Sequence, residues 1–127
     1  MAARLFIAAL LLLPLAGVPG AVRSQGPVPR VIEVTAERFE FWPSEIAVAE
    51  GEEVELRISS DDTMHGFRIV GVGTNVLIPK RGKGSAVVRF TGGLPGRYTF
   101  ECNRMCGAGH NFMRGVLVVR SAGAREP

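Results

Sequence analysis

Short stretches of alternating apolar and polar residues, separated by glycine and proline, make up most of the chain from residue 31 onward. The clearest stretch is residues 53–59, in which Val54, Leu56 and Ile58 share one face of an extended strand. Such alternation is typical of a β-strand that buries one face. By this criterion and by apolar content, strands are predicted at residues 31–36, 45–49, 53–59, 67–70, 75–78, 85–91, 97–102 and 115–120.

Turn-forming residues separate these strands at short intervals. Glycine or proline occurs in the segments 50–52, 71–73, 79–84 and 91–96. No segment shows a sustained helical period, and the chain contains no internal repeat. Seven to eight short strands with such turns predict an all-β fold, which is an antiparallel sandwich or barrel.

The first 24 residues have a different composition. Arg4 precedes a short, leucine-rich apolar run that contains Pro14 and ends near Val18. This pattern is typical of a secretory signal peptide. A single membrane anchor is the alternative, although a spanning helix needs about 20 apolar residues. We expect residues 1–24 to be a signal peptide or anchor, 25–30 a tether, 31–120 the one folded domain and 121–127 a polar C-terminal tail.

The charge of the chain argues against nucleic acid as a partner. The formal net charge of the 127 residues is +3, and it falls to +1 without Arg4 and Arg23 of the N-terminal segment. A nucleic-acid-binding domain is usually far more basic. Ten of the twelve acidic residues lie within residues 33–62, whereas ten bases lie within residues 68–125. This asymmetry either orients a charged partner or reflects two solvated faces of a sandwich.

Four side chains with metal-binding donor atoms lie within one twelve-residue segment: Cys102, Cys106, His110 and Met113. Thiolate, imidazole and thioether together suit copper better than other biological metals. The flanking predicted strands place the segment in a hairpin loop at one end of the sandwich. His65 lies at another loop-to-strand junction, and the spacing alone does not establish whether it reaches the same end.

Other interpretations of this segment explain fewer of its residues. A core helix would contain two glycines, each of which costs about 1 kcal/mol relative to alanine. A disulfide between Cys102 and Cys106 leaves the histidine and the methionine without a role. A zinc site with two cysteine and two histidine ligands would leave the thioether of Met113 without a role. A mononuclear copper site needs one thiolate, whereas two thiolates can bridge two copper ions and offset most of their charge in both redox states.

The order of these residues resembles a known family. The pattern Cys-x-x-x-Cys-Gly-x-Gly-His-x-x-Met that starts at Cys102, with His65, Gly66 and Phe67 upstream, resembles the binuclear copper (CuA) cupredoxin domain of cytochrome c oxidase subunit II. The resemblance covers about residues 31–119. It implies a Greek-key cupredoxin sandwich with two copper ions, in which Cys102 and Cys106 are the bridging thiolates.

The resemblance also implies the remaining copper ligands. His65 and His110 each supply a nitrogen, one histidine per metal, Met113 supplies a weak sulfur, and the backbone carbonyl of Arg104 is the other weak ligand. Many members of the family have a glutamate at the position of Arg104, where it helps to bind magnesium against the catalytic subunit. The arginine argues against that magnesium contact. It leaves the copper site intact, because only the main-chain oxygen of residue 104 is needed there. Trp42 is either an electron-entry residue or an ordinary part of the sandwich edge.

The function implied by the resemblance is electron transfer. The domain would relay single electrons from a cytochrome c-like donor toward a haem-copper oxidase, in the periplasm or on the outer face of the bacterial inner membrane. It would be a subunit without its own catalytic centre. A periplasmic copper carrier, or metallochaperone, and a non-redox binding module with a Cys102–Cys106 disulfide are the alternatives from other classes.

Overall fold

Nine β-strands form two packed sheets in the computed structural model, which describes residues 26–123. In chain order the strands are β1 (Arg30–Glu37), β2 (Glu40–Trp42), β3 (Glu45–Ala49), β4 (Glu53–Ser60), β5 (His65–Ile69), β6 (Thr74–Ile78), β7 (Ser85–Thr91), β8 (Gly96–Glu101) and β9 (Arg114–Arg120). One sheet has the order β2-β1-β4-β7, and the other has the order β3-β9-β8-β5-β6.

The core lies between the sheets and is built from the alternating positions of the strands. On β4, the apolar side chains of Val54, Leu56 and Ile58 are fully buried, while the positions between them face outward. Rings of Phe41, Phe67 and Phe100 pack with their centroids 5.3–5.6 Å apart. Full burial of one such side chain contributes about 1.5–3 kcal/mol, so the alternation fixes which face of each strand points inward.

The predicted all-β sandwich is confirmed, with two differences. The strand count is nine rather than seven to eight because β2 was missed, and only Phe41 of its three residues is buried. Such a short strand shows no readable alternation. The β1–β4 and β3–β9 pairs are parallel rather than antiparallel. Alternation reports which face is buried and carries no information on strand direction.

The described region, residues 26–123, can be compared with the expected domain limits. The first strand begins at Arg30, the last residue of the expected tether. The expected signal peptide or anchor, residues 1–24, lies outside the described residues, as do residues 124–127 of the expected tail. Within residues 26–123, no helix has the length and apolar character needed to cross a membrane.

Strand order places the metal-binding candidates at one end of the sandwich. Neighbouring strands β5 and β8 are antiparallel, with Arg68 opposite Glu101. The first residue of β5, His65, therefore lies near the segment that follows β8. This settles the position of His65, which the spacing of the sequence left open.

Candidate metal centre

The loop between β8 and β9 folds back over the end of the sandwich. The Cys102 backbone N–H donates to the Met113 carbonyl at 3.0 Å, which closes the base of the loop. Gly107 has a φ of 149°, a backbone conformation that strongly favours glycine. A short 3-10 turn at His110–Phe112 then leads into β9. The loop buries both cysteines and Met113 and leaves His110 half-buried.

Two sulfur atoms form the centre of the site. The Sγ atoms of Cys102 and Cys106 are 3.8 Å apart, and both cysteines are free thiols. From the Cys106 sulfur, His110 Nδ1 and Met113 Sδ each lie 3.9 Å away. The Cys102 thiol donates to the Arg104 carbonyl at 3.1 Å, while the Arg104 side chain is exposed. The loop therefore surrounds the sulfur pair with further donor atoms.

A buried imidazole completes this group from the neighbouring strand. A ring nitrogen of His65 and the sulfurs of Cys102 and Cys106 all lie within 4.8 Å of one another. His65 Nε2 is 2.7 Å from Asp62 Oδ1, and Nδ1 has no hydrogen-bond partner in the described structure. An unsatisfied buried polar atom of this kind costs about 1–3 kcal/mol. With the proton on Nε2, as the carboxylate favours, Nδ1 keeps a free lone pair that a metal ion would satisfy.

The carboxylate of Asp62 is held in its charged form. Burial raises its pKa, but hydrogen bonds from the His65 ring and from the backbone N–H groups of Thr63 and Arg38 outweigh burial and bring the pKa to about 2. Asp62 is therefore ionised at all ordinary pH values. A charged carboxylate behind a histidine orients the ring and strengthens it as a metal ligand.

The thiol of Cys106 is protonated at neutral pH while no metal is bound. Burial raises its pKa to about 11, the nearby Cys102 and Asp62 act in the same direction, and only the positive charge of Arg38 opposes them. A metal ion must displace this proton in order to bind the sulfur. Metal binding at this site is consequently linked to pH.

All six residues singled out in the sequence lie around this sulfur pair: His65, Cys102, Arg104 through its carbonyl, Cys106, His110 and Met113. Their donor atoms fit a copper site, since sulfur and imidazole ligands predominate.

Sequence reasoning missed three residues that support the site. They are Asp62, Arg38, which donates to the Cys106 carbonyl, and Phe39, whose ring lies against the backbone of Gly107 and Gly109. Asp62 could have been found from the sequence, because a carboxylate three residues before a candidate histidine ligand is close enough to contact its ring. Arg38 reaches the loop from 68 residues away along the chain. No local pattern indicates such a contact.

Comparison with known proteins is consistent with this geometry. The model of the cupredoxin-like domain family matches residues 5–119. Two cytochrome c oxidase subunit 2 proteins of Thermus thermophilus are each 39% identical over 101 residues, or 79% of this chain. The chain spans 73% of the first relative and 58% of the second.

A solved structure shows the same architecture at similar coverage. A chain of a haem-copper terminal oxidase dimer, determined by cryo-EM, superposes with a TM-score of 0.63 at 28% sequence identity. The match covers 72% of this chain and 65% of that one. Together with the sulfur and imidazole donors described above, these similarities identify a copper-binding type of cupredoxin. The chain belongs to the cupredoxin-like domain family and, within it, to the domains of cytochrome c oxidase subunit 2.

Proposed function

We propose that the chain holds a binuclear copper centre of the CuA type and relays single electrons. The observation that carries this proposal is the pair of thiols 3.8 Å apart beside the unpartnered Nδ1 of buried His65. A mononuclear site needs only one thiolate. Two sulfurs at this separation are suited to bridge two ions, which is our reason for assigning two coppers rather than one.

Each donor around the sulfur pair has a role in this proposal. Cys102 and Cys106 would hold both ions through their thiolates, His65 and His110 would supply one nitrogen to each, and Met113 would supply a weak sulfur ligand. The carbonyl of Arg104 is the remaining weak ligand. When bound, the copper pair supplies a redox unit that takes up and releases one electron at a time. The two thiolate charges offset most of the copper charge in both states, which limits the cost of burying the ions.

The protein framework holds these ligands with little freedom to move. His65 is fully buried at the start of β5, where it contacts Asp62. Cys102 directly follows β8, and Met113 directly precedes β9. A site whose ligands are fixed by three neighbouring strands and a closed loop rearranges little when its charge changes. That property favours rapid electron exchange.

Electrons reach the centre from the exposed part of the loop. His110 is half-buried, and Phe112, two residues later in the same 3-10 turn, is 80% exposed and provides an apolar contact surface. Met105 is 74% exposed in the same loop. A cytochrome c-like donor would approach here, and a haem-copper oxidase would accept the electron. The similarity to a cytochrome c oxidase subunit 2 and to a chain of a haem-copper terminal oxidase supports that acceptor. Trp42 on β2 is a further exposed aromatic residue and remains a candidate for electron entry.

The segments outside the domain fit an exported protein. We propose that residues 1–24 act as a signal peptide or membrane anchor and 25–30 as a tether, followed by the copper domain at 31–120 and a tail at 121–127. This arrangement would place the centre in the periplasm or at the outer face of the inner membrane. There it could meet an exported cytochrome.

Stopped-flow spectroscopy tests the relay function. The copper-loaded chain is mixed with a reduced c-type cytochrome, and oxidation of the haem is followed together with reduction of the copper. The proposal predicts one electron per chain and repeated cycling after reoxidation. A C106S variant, which lacks one bridging sulfur, should lose this cycling. A copper carrier would instead release copper(I) to a chelator without cycling, and that result would refute the relay function.

A further inference from the structure

Arg38, in the turn between β1 and β2, contacts the metal-binding loop. Arg38 Nε donates to the Cys106 carbonyl at 2.8 Å. The backbone N–H of the same residue donates to Asp62 Oδ2 at 3.0 Å, and Asp62 Oδ1 contacts His65 Nε2 at 2.7 Å. Arg38, which is not itself a candidate ligand, is therefore hydrogen-bonded both to Cys106 and to Asp62, the carboxylate that orients His65.

The next residue of the turn packs against the same loop. A Cβ atom added to Gly107 or to Gly109 would lie less than 3.0 Å from the ring of Phe39, closer than real contacts allow. The ring thus lies directly on the backbone that leads from Cys106 to His110. Arg38 and Phe39 together hold this half of the loop against the first sheet.

Within residues 26–123, no ion pair offsets the charge of Arg38. In that range, five other arginines of the sandwich pair with glutamates, as Arg89 does with Glu55. In the described part of the chain, no carboxylate lies within ion-pair distance of the Arg38 guanidinium. The guanidinium donates a hydrogen bond to the neutral carbonyl of Cys106 instead. Asp62 is the charged group of opposite sign near the thiols, and it bonds to the imidazole of His65.

We propose that Arg38 is a positioning residue of the metal centre, an inference that rests on the proposed function. Its hydrogen bond fixes the carbonyl of Cys106 and thereby the sulfur of that residue. Its charge also favours the reduced centre, because an added electron makes the centre more negative and a nearby fixed cation stabilises that state. The electron comes from the donor protein, and no bond to Arg38 is made or broken.

The test compares R38Q and R38K with the control R89Q in the copper-loaded full chain. Spectroelectrochemistry measures the reduction potential, and a copper(I) chelator measures the rate of copper release. R38Q removes the charge, but its Nε2 amide can still donate to the Cys106 carbonyl in place of Arg38 Nε. It should therefore bind and release copper as the parent chain does but have a lower reduction potential. R38K retains the charge without the Nε donor, so its potential should stay near that of the parent while its release is faster. R89Q should match the parent in both measurements.

Two results would overturn the role of Arg38. One is an R38Q chain with an unchanged potential, and the other is an R89Q chain whose potential shifts as much as that of R38Q. If R38Q does not fold, R38K decides the question, because unchanged copper release from R38K would refute the positioning role. Failure of the proposed function is distinct from these outcomes, because it would appear in the parent chain as the wrong copper content.

Discussion

Replacement of Asp62 by asparagine removes one negative charge behind His65 and leaves the shape of the side chain almost unchanged. Asp62 Oδ1 contacts His65 Nε2 at 2.7 Å, and Oδ2 accepts the Arg38 backbone N–H at 3.0 Å. Asparagine has a single carbonyl oxygen, so it cannot keep both contacts as charge-assisted hydrogen bonds. The D62N variant should therefore weaken the link between β5 and the β1–β2 turn.

The magnitude follows from the pKa of Asp62, which lies at about 2 in the folded chain against an ordinary value of 3.8. Because the folded pKa is the lower one, the carboxylate stabilises the fold above pH 3.8, and this stabilisation is lost as the pH falls through about 2. The difference corresponds to about 2 kcal/mol at neutral pH. It should shrink to about half near pH 3 and nearly vanish at pH 2.

Urea denaturation of the metal-free chain, followed by far-ultraviolet circular dichroism, measures this difference. D62N should be about 2 kcal/mol less stable than the parent at pH 7, with the gap closing toward pH 2. The neighbouring Asp61 is exposed, and its side chain has no hydrogen bond or ion pair within residues 26–123, so D61N is the matched control and should change stability little. A D62N gap that stays constant with pH, or one equal to that of D61N, would refute the reasoning.

Three further predictions concern the loop and its ligands. G109A should lose about 1–3 kcal/mol of stability because its methyl group meets the Phe39 ring. G93A has room for a methyl group and should lose almost none, and chemical denaturation of both variants measures the difference. M113L should fold with a loss below about 1.5 kcal/mol but shift the reduction potential, while M105L, at an exposed position, should leave the potential unchanged. Copper(I) uptake should release protons and weaken as the pH falls, because the pKa of the Cys106 thiol is raised to about 11; a pH-stat titration without proton release would contradict this.

The sequence was sufficient for those parts of the fold that depend on burial. Strands β3 and β7 match the predicted ranges 45–49 and 85–91, because each alternates fully between buried and exposed positions. The three-residue β2 and the parallel pairing of β1 with β4 were not predictable. Both depend on contacts between segments that are distant in the sequence, and alternation contains no information about such contacts.

The same limit applies to the metal centre. Ligands in the loop were found because copper chemistry needs particular donor atoms at close spacing, and the resemblance to a family supplied His65. The supporting contacts of Arg38 and Phe39 join the first two strands to a loop about 70 residues later in the chain. They became visible only when the fold brought these segments together.

The central claim is that one pair of sulfur atoms holds two copper ions as a single redox unit. Electron paramagnetic resonance of the fully loaded, oxidised chain tests this most directly when the copper content of the same sample is measured. The account predicts two coppers per chain and a hyperfine pattern from one unpaired electron shared equally by two copper nuclei. One copper per chain with hyperfine lines from a single nucleus would contradict it.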